Sequence, residues 1–307
     1  MNSKILLLNK HKGTTSNNQL QKLKKALGQS KAGFSGTLDP LASGVLPIFF
    51  NNSTKLIQYL PEESKIYRVK AILGITTNTL DICGEVKSIK NYKSHQHLTN
   101  KIIEEAINSC IGEFKYKLPK FSAIKIDGKK SYELARSNKN FEPKERISSI
   151  KSIEIIDIRK LSFEMIVKCS PGTYIRSLVD SIGQTLTIGA TVTKLERIQS
   201  GPFLKKDSYS LGRILDDNFE YYDLNKLFKT FKISERSIKK LILLRNYKKV
   251  NIADIFNDSV SGSDLKNSVL RDNLNQFLLK TSNENMIFVS NSYDEGLGYL
   301  YSKIKII

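Results

Sequence analysis

The apolar positions of this chain follow two periods. Ile5-Leu6-Leu7-Leu8 is a short continuous apolar run that ends in Asn9-Lys10-His11-Lys12-Gly13, the pattern of a buried strand leaving into a basic loop. Leu20, Leu23 and Leu27 then recur at helical spacing while Lys22, Lys24 and Lys25 fall elsewhere, which predicts a helix capped by Ser16 and ended near Gly28. Ser53 to Tyr59 reads as a second, short helix. Tyr67, Val69, Ala71 and Leu73 alternate with Arg68 and Lys70, so a strand with its apolar set inward is expected. Ile102, Ile103, Ala106, Ile107, Cys110 and Ile111 make one face of a helix over 98–111, closed by Gly112. Phe163, Met165, Val167 and Cys169 alternate with Glu164, Ile166 and Lys168 as a strand, and Ser170-Pro171-Gly172 turns into a helix at Thr173 that buries Ile175, Leu178, Val179 and Ile182.

Beyond about residue 222 the signals weaken. An amphipathic piece lies at Leu241 to Leu244, strand-like pieces lie at Met286 to Val289 and Tyr299 to Ile307, and 257–263 and 267–275 read as polar connections. There is no internal repeat.

Charge changes the picture more than length does. The 307 residues allow two domains, and a 40% hydrophobic content is ordinary for a globular protein. Lys and Arg number 49 against 30 Asp and Glu, a formal charge of +19 with pI near 9.6. That balance argues for a polyanionic partner, nucleic acid before an anionic membrane surface. Residues 223–307 carry 14 basic and 9 acidic residues, so most of the excess lies in the first 222. No apolar run reaches the ~20 residues of a membrane span, and the start is too short in apolar residues for a secretory signal, so a cytoplasmic protein is expected. Cys83, Cys110 and Cys169 are odd in number and widely spaced, and His11, His95 and His97 have no acidic companions; no metal site is expected.

Asp39 stands out against that charge. It is the first acidic residue, and Lys4, Lys10, Lys12, Lys22, Lys24, Lys25, Lys31 and Lys55 all precede the next one, Glu62. Gly33, Gly36 and Gly44 allow turns and close approach by a ligand, and Pro40 disfavours the α region for Asp39. Taken alone, Asp39-Pro40 is a turn initiator.

The longer run says more. Gly36-Thr37-Leu38-Asp39-Pro40-Leu41-Ala42-Ser43-Gly44-Val45-Leu46-Pro47 resembles the Gly-x-Leu-Asp-Pro-Leu-Ala-x-Gly-Val-Leu-Pro signature of the TruB family of tRNA pseudouridine synthases. Other segments resemble the family in the same order. They are Lys10 to Ser16, with His11 where the family has Pro; Lys65-Ile66-Tyr67; Thr76 to Gly84; Leu118 to Arg136, with Phe121 for Tyr; Cys169 to Leu178 through Gly172-Thr173-Tyr174-Ile175-Arg176; and Gly189 to Phe203, with Glu196 for Arg. The resemblance covers roughly the first two-thirds of the chain.

The resemblance implies an α+β fold and a catalytic core of 1–222 around a mainly antiparallel sheet; it fades over the small C-terminal domain of 223–307, for which a PUA-like, RNA-binding module, as the family often carries, and a shortened β-rich domain are both open. It implies isomerisation of uridine to pseudouridine at uridine 55 in the T-loop of tRNA, with the nucleotide flipped out of its stack. Moving the base from N1 to C5 changes no oxidation state, so no cofactor is demanded. Asp39 would be catalytic, and Tyr67, Tyr174, Arg176, Leu195, Lys12 and Phe34 would contact substrate or shape its pocket. Tyr67 also reads as a core aromatic, and Arg176 could pair within its helix with Asp180. Against that, Arg suits a forked ion pair that orients a carboxylate. Phe34 occupies the place of a family His associated with the flipped RNA. The expected partner is the T-arm of tRNA, with no membrane, and the protein is expected to be a monomer. Competing readings are a non-catalytic tRNA-binding or RNA-folding protein, and the same chemistry on another RNA.

Overall fold

In the computed structural model, residues 4–61, 63–90, 98–119, 121, 125–126, 129–130, 145–232, 234–236, 276–281, 286–294 and 299–306 are described. The His95-x-His97 pair, most of the Leu118 to Arg136 run, Leu241 to Leu244 and the polar stretches 257–263 and 267–275 lie outside the described residues.

The strands are β1 (Lys4–Lys10), β2 (Ala32–Phe34), β3 (Ser43–Phe50), β4 (Lys65–Leu73), β5 (Ile75–Thr77), β6 (Val86–Ile89), β7 (Gly112–Lys117), β8 (Lys125–Ile126), β9 (Lys129–Lys130), β10 (Glu145–Arg159), β11 (Ser162–Cys169), β12 (Ala190–Ser200) and β13 (Phe203–Leu204). The helices are α1 (Ser16–Ala26), α2 (Asn100–Asn108), α3 (Ile175–Thr185) and α4 (Leu211–Leu215), with a 3-10 helix over Asn51–Tyr59. The main sheet runs β1-β3-β12-β4-β11-β10-β7, with β2 added on β3 and β13 on β12. Its pairings are antiparallel except for β3 and β12, which run parallel where Ser43 and Gly44 face Glu196 and Arg197. The fold is therefore α+β around a mainly antiparallel sheet.

The unbroken Ile5 to Leu8 run has a simple cause. Leu6 and Leu8 enter the main core with Leu46, Ile48, Val69 and Leu178, whereas Ile5 and Leu7 enter a second cluster with Val45, Phe49, Leu56 and Phe203. Both faces of β1 are covered, so neither needs polar positions. On β4 the expected alternation holds: Tyr67, Val69, Ala71 and Leu73 are buried, and Arg68 and Lys70 are exposed. β11 buries Phe163, Met165, Val167 and Cys169 as expected, but also Glu164, whose carboxylate accepts from Arg68 Nε at 2.6 Å and pairs with Lys70 at 2.8 Å.

Two helix details differ from the sequence pattern. Thr15, not Ser16, caps α1, accepting from Asn18 N at 3.1 Å, because the Ser16 hydroxyl is turned inward to Leu38. In α2 the packed side is Ile103, Ala106 and Ile107, while Ile102 and Ile111 stay exposed on the flank of the apolar stripe.

Past residue 228, β14 (Lys229–Lys232), β15 (Gln276–Lys280), β16 (Met286–Asp294) and β17 (Tyr299–Ile306) form a separate four-stranded sheet in that order. Leu224, Phe228 and Leu278 pack into the second cluster beside β1 and β3, so this sheet is seated on the face of β1 turned away from the main core.

Candidate active site

Asp39 lies in the loop between β2 and β3, and several polar backbone groups near it are tied down. The Ser16 hydroxyl accepts from Leu38 N at 2.9 Å and donates to Leu38 O at 3.0 Å. Gly13 N donates to Pro40 O at 2.8 Å and Ala42 N to Asp39 O at 3.0 Å. Lys10 Nζ donates to Ala42 O at 2.6 Å, and Arg197 Nη2 to Gly36 O at 2.9 Å. A short polar loop held at this many points presents its side chain in one geometry. Gly36 is required there: its φ is +71°, and a Cβ on it would come 2.9 Å from both Arg197 Nη1 and Lys65 Nζ.

Arg176, in the first turn of α3, meets that carboxylate. Its Nε donates to Asp39 Oδ2 at 2.8 Å, Nη1 to Thr79 O at 2.7 Å and Nη2 to Phe121 O at 3.0 Å, and Nη1 stands 3.7 Å from Asp81 Oδ2. The guanidinium is 4% exposed and the Asp39 carboxylate 31%, so the cation is buried behind an anion that opens outward. The forked two-donor pair expected from the sequence is not formed, because both terminal nitrogens are taken by carbonyls and Asp81. Pairing with Asp180 does not occur either; Asp180 instead accepts from Gln184 Nε2 at 2.7 Å. Asp81 is itself fixed, its Oδ1 accepting from Thr79 Oγ1 at 2.8 Å and Cys83 N at 3.0 Å.

Asp39 opens into a cavity of about 290 Å³, lined by Thr37, Leu38, Ala42, Lys65, Tyr67, Gly172, Thr173, Tyr174, Ile175 and Leu195. That is near the lower bound of ligand pockets, roughly 300 Å³. The cavity thus gathers Asp39, Tyr67, Tyr174 and Leu195, with Arg176 behind Asp39. Tyr67 is both things the sequence allowed, a buried strand aromatic and a pocket wall. Burial pushes its hydroxyl pKa up, and Arg197 partly opposes that. Tyr174 packs beside Tyr116, whose hydroxyl donates to Gly172 O at 2.9 Å and so fixes the turn that leads into α3.

Two expected residues stand apart from the lining. Phe34 lies in β2, opposite Ile48, and packs partly buried against the main core. Lys12 is exposed in the turn after β1, which is tied to the Asp39 loop by the backbone bond of Gly13 to Pro40 and by the Lys10 amine, held between His11 O and Ala42 O.

The structure also brings in cations that sequence reasoning did not single out. Lys65 lines the cavity, and burial, then the nearby Arg197, lowers its amine pKa to about 8. Lys10 is lowered to about 8 chiefly by burial, with Asp39 acting in the opposite direction. Arg197 is 0% exposed, its Nε donating to Val45 O at 2.9 Å. The sequence held two usable signals for Lys65: its place in the family-like segment Lys65-Ile66-Tyr67, and its position two residues before Tyr67 on a strand, which puts both on one face. Arg197 sits directly across from Tyr67 in the β12–β4 register, a relation that sequence spacing does not carry.

With this geometry in hand, relatives can be compared. Residues 24–175 match the TruB family pseudouridylate synthase (N terminal domain). The tRNA pseudouridine synthase B of Clostridium novyi (strain NT) is 42% identical over 246 residues, covering 78% of this chain and 83% of that protein. That of Mesoplasma florum is 40% identical over 240 residues, covering 78% and 81%. Among solved structures, a Cbf5-Nop10-Gar1 complex superposes with TM-score 0.62 at 21% identity over 94% of this chain and 78% of that one. An H/ACA RNP bound to a substrate RNA containing 2′-deoxyuridine gives 0.64 at 19% over 99% and 84%. At those identities the two structures speak for the fold alone. The sequence relatives, similar over most of both chains, settle descent: the chain belongs to the TruB family of pseudouridylate synthases.

Proposed function

We propose that this chain isomerises uridine to pseudouridine in tRNA, at uridine 55 of the T-arm, with Asp39 as the catalytic carboxylate. One observation carries the proposal: the only ion pair at the cavity joins an outward-facing carboxylate to a buried arginine, among the described residues. A site for binding RNA alone needs lysines and aromatics, and a carboxylate facing a polyanion would weaken it.

The parts then have distinct tasks. The target nucleotide leaves its stack and enters the cavity, with Tyr67 and Leu195 against the base and Tyr174 at the mouth. Arg176 fixes which carboxylate oxygen of Asp39 is turned toward the ribose, since Nε holds Oδ2 and leaves Oδ1 for the substrate. Lys12, exposed beside the loop, contacts phosphate; Phe34 supports the loop from β2. We take residues 1–222 as the catalytic domain and 223–307 as an RNA-binding accessory domain of PUA type, which the separate C-terminal sheet supports. The enzyme acts as a cytoplasmic monomer, without a cofactor. No helix among the described residues is long and apolar enough to cross a membrane.

The test is incubation of the purified protein with an unmodified tRNA transcript, followed by mapping of pseudouridine. A single modified position in the T-loop is the expected result. Tight binding without any pseudouridine would instead mark a non-catalytic RNA-binding protein, and modification elsewhere would move the substrate.

A further inference from the structure

Lys65 and Arg197 are cations that make no ion pair among the described residues, the Asp39 carboxylate on the same cavity being paired with Arg176. Among the described residues, no hydrogen bond or ion pair holds the Lys65 amine, and Arg197 Nη1 is buried with no partner at hydrogen-bonding distance, although the guanidinium lies near enough to the Tyr67 hydroxyl to lower its pKa. The two crowd together, since both stand 2.9 Å from the place of a Cβ on Gly36. Burying like charges side by side opposes folding, so stability does not account for the arrangement. Lys10, by contrast, is explained: its amine holds the carbonyls of Ala42 and His11. The same cavity is bordered by Gly172, Thr173, Tyr174 and Ile175, the start of α3, where the helix presents the positive end of its dipole. Apart from the Asp39 carboxylate, which Arg176 holds, the cavity so arranged is complementary to negative charge, and an intact uracil base has none.

We infer that Lys65 is a further catalytic residue, its amine meeting the negative charge that gathers on uracil as the base leaves the ribose. This rests on the reading of the site as a pseudouridine synthase. When the N1–C1′ bond breaks, its electron pair stays on the base and spreads over N1, O2 and O4, leaving C1′ electron-deficient beside Asp39. The base turns, C5 forms the new bond to C1′, C5 loses its proton and N1 gains one, so composition and oxidation state are unchanged. A donor already in place where the charge appears lowers the barrier to that first cleavage. Lys65 is two residues from Tyr67 on β4, so both side chains reach into the cavity from one strand. Arg197, opposite Tyr67 on β12, keeps the surroundings positive and the Lys65 amine reactive as a donor.

The test is single-turnover pseudouridine formation with saturating tRNA, alongside measured tRNA affinity, for wild type, Lys65→Met and Lys65→Gln. Both variants should lose about 10²- to 10³-fold in rate, the loss seen when one such donor is removed, while affinity and its salt slope stay near wild type. The titratable groups acting on Lys65 are Arg197 on β12 and Cys169 on β11, with Tyr67 on β4 and Asp39 in the loop lining the same cavity. A fall in wild-type rate as pH passes the amine's range should therefore be absent in Lys65→Met, which keeps all of them. The inference is overturned if either folded variant turns over near the wild-type rate. It is equally overturned if the loss appears as weaker affinity with a salt slope lower by about one, which would make Lys65 a phosphate contact. Should wild type itself form no pseudouridine, the proposed function fails, an outcome distinct from active wild type with active variants.

Discussion

Arg176 holds Asp39 by a single bond, Nε to Oδ2 at 2.8 Å, and anchors its other two nitrogens to the protein. The cation is thereby fixed first by the carbonyls of Thr79 and Phe121 and by Asp81, and it orients the carboxylate from that position. The arrangement separates two jobs. Under the proposed function, Asp39 reacts and Arg176 aims it.

Asp39→Asn should abolish pseudouridine formation while tRNA affinity stays within a few-fold of wild type or improves slightly, because one negative charge facing the RNA is gone. Single-turnover assays with binding measured on the same preparation check this. Turnover above a trace by the variant would remove Asp39 from the reaction.

Arg176→Lys follows from the spread of contacts. A lysine has one nitrogen and cannot reach Asp39, Thr79 and Phe121 together, so the rate should fall by at least about 10²-fold and affinity should change little. A helix-surface pair with Asp180 would have made the change nearly silent. The Asp39→Asn, Arg176→Lys double variant should be no slower than Asp39→Asn alone, since groups acting as one unit are non-additive. Additive losses would show that Arg176 works elsewhere.

How much of this was legible in the sequence depends on the range of the interaction. β4, β11 and the three main helices follow from local periodicity, because each has one stripe or face to bury, while β1 follows from an unbroken apolar run covered on both faces. Asp39, Tyr67, Tyr174, Arg176 and Leu195 were picked out by the family resemblance, and they do gather around one cavity. What spacing could not carry are contacts between distant strands: Arg197 against Tyr67, Lys65 against Gly36, and the carbonyls that prevent a forked pair. The Ser16 misassignment is of the same kind, a local capping preference overridden by Leu38, 22 residues away.

Gly44 gives a stability prediction independent of catalysis. Its φ is +107°, and a Cβ would fall 2.2 Å from Arg197 O and 2.7 Å from Arg197 N, where β3 and β12 pair in parallel. Gly44→Ala should therefore cost about 3 kcal/mol or more in urea unfolding. Gly212→Ala is the matched control, with open space around the new methyl and a helical setting, and should be neutral or mildly stabilising. Equal effects of the two would mean that the β3–β12 contact is not close-packed.

The last prediction concerns pH. In the folded chain the Lys65 amine titrates at about 8 rather than 10.5, because burial and Arg197 disfavour its charged form. Between those two values the unfolded chain binds more protons than the folded one, so the Lys65 contribution to stability rises with pH across that window. Below about pH 8 the folded protein carries the full penalty of the buried charge; above 10.5 neither state is charged and the penalty is gone. Lys65→Met removes that charge and keeps the apolar stem. It should melt a few degrees above wild type at pH 7, and the gap should shrink steadily toward pH 10. Thermal unfolding of both proteins across pH 7 to 10 measures the difference directly, with titrating groups remote from Lys65 cancelling. A Lys65→Met protein that melts below wild type at pH 7, or a gap that grows with pH, would mean that a counter-charge stabilises the amine in the folded chain, and the site would not be waiting for charge on the substrate.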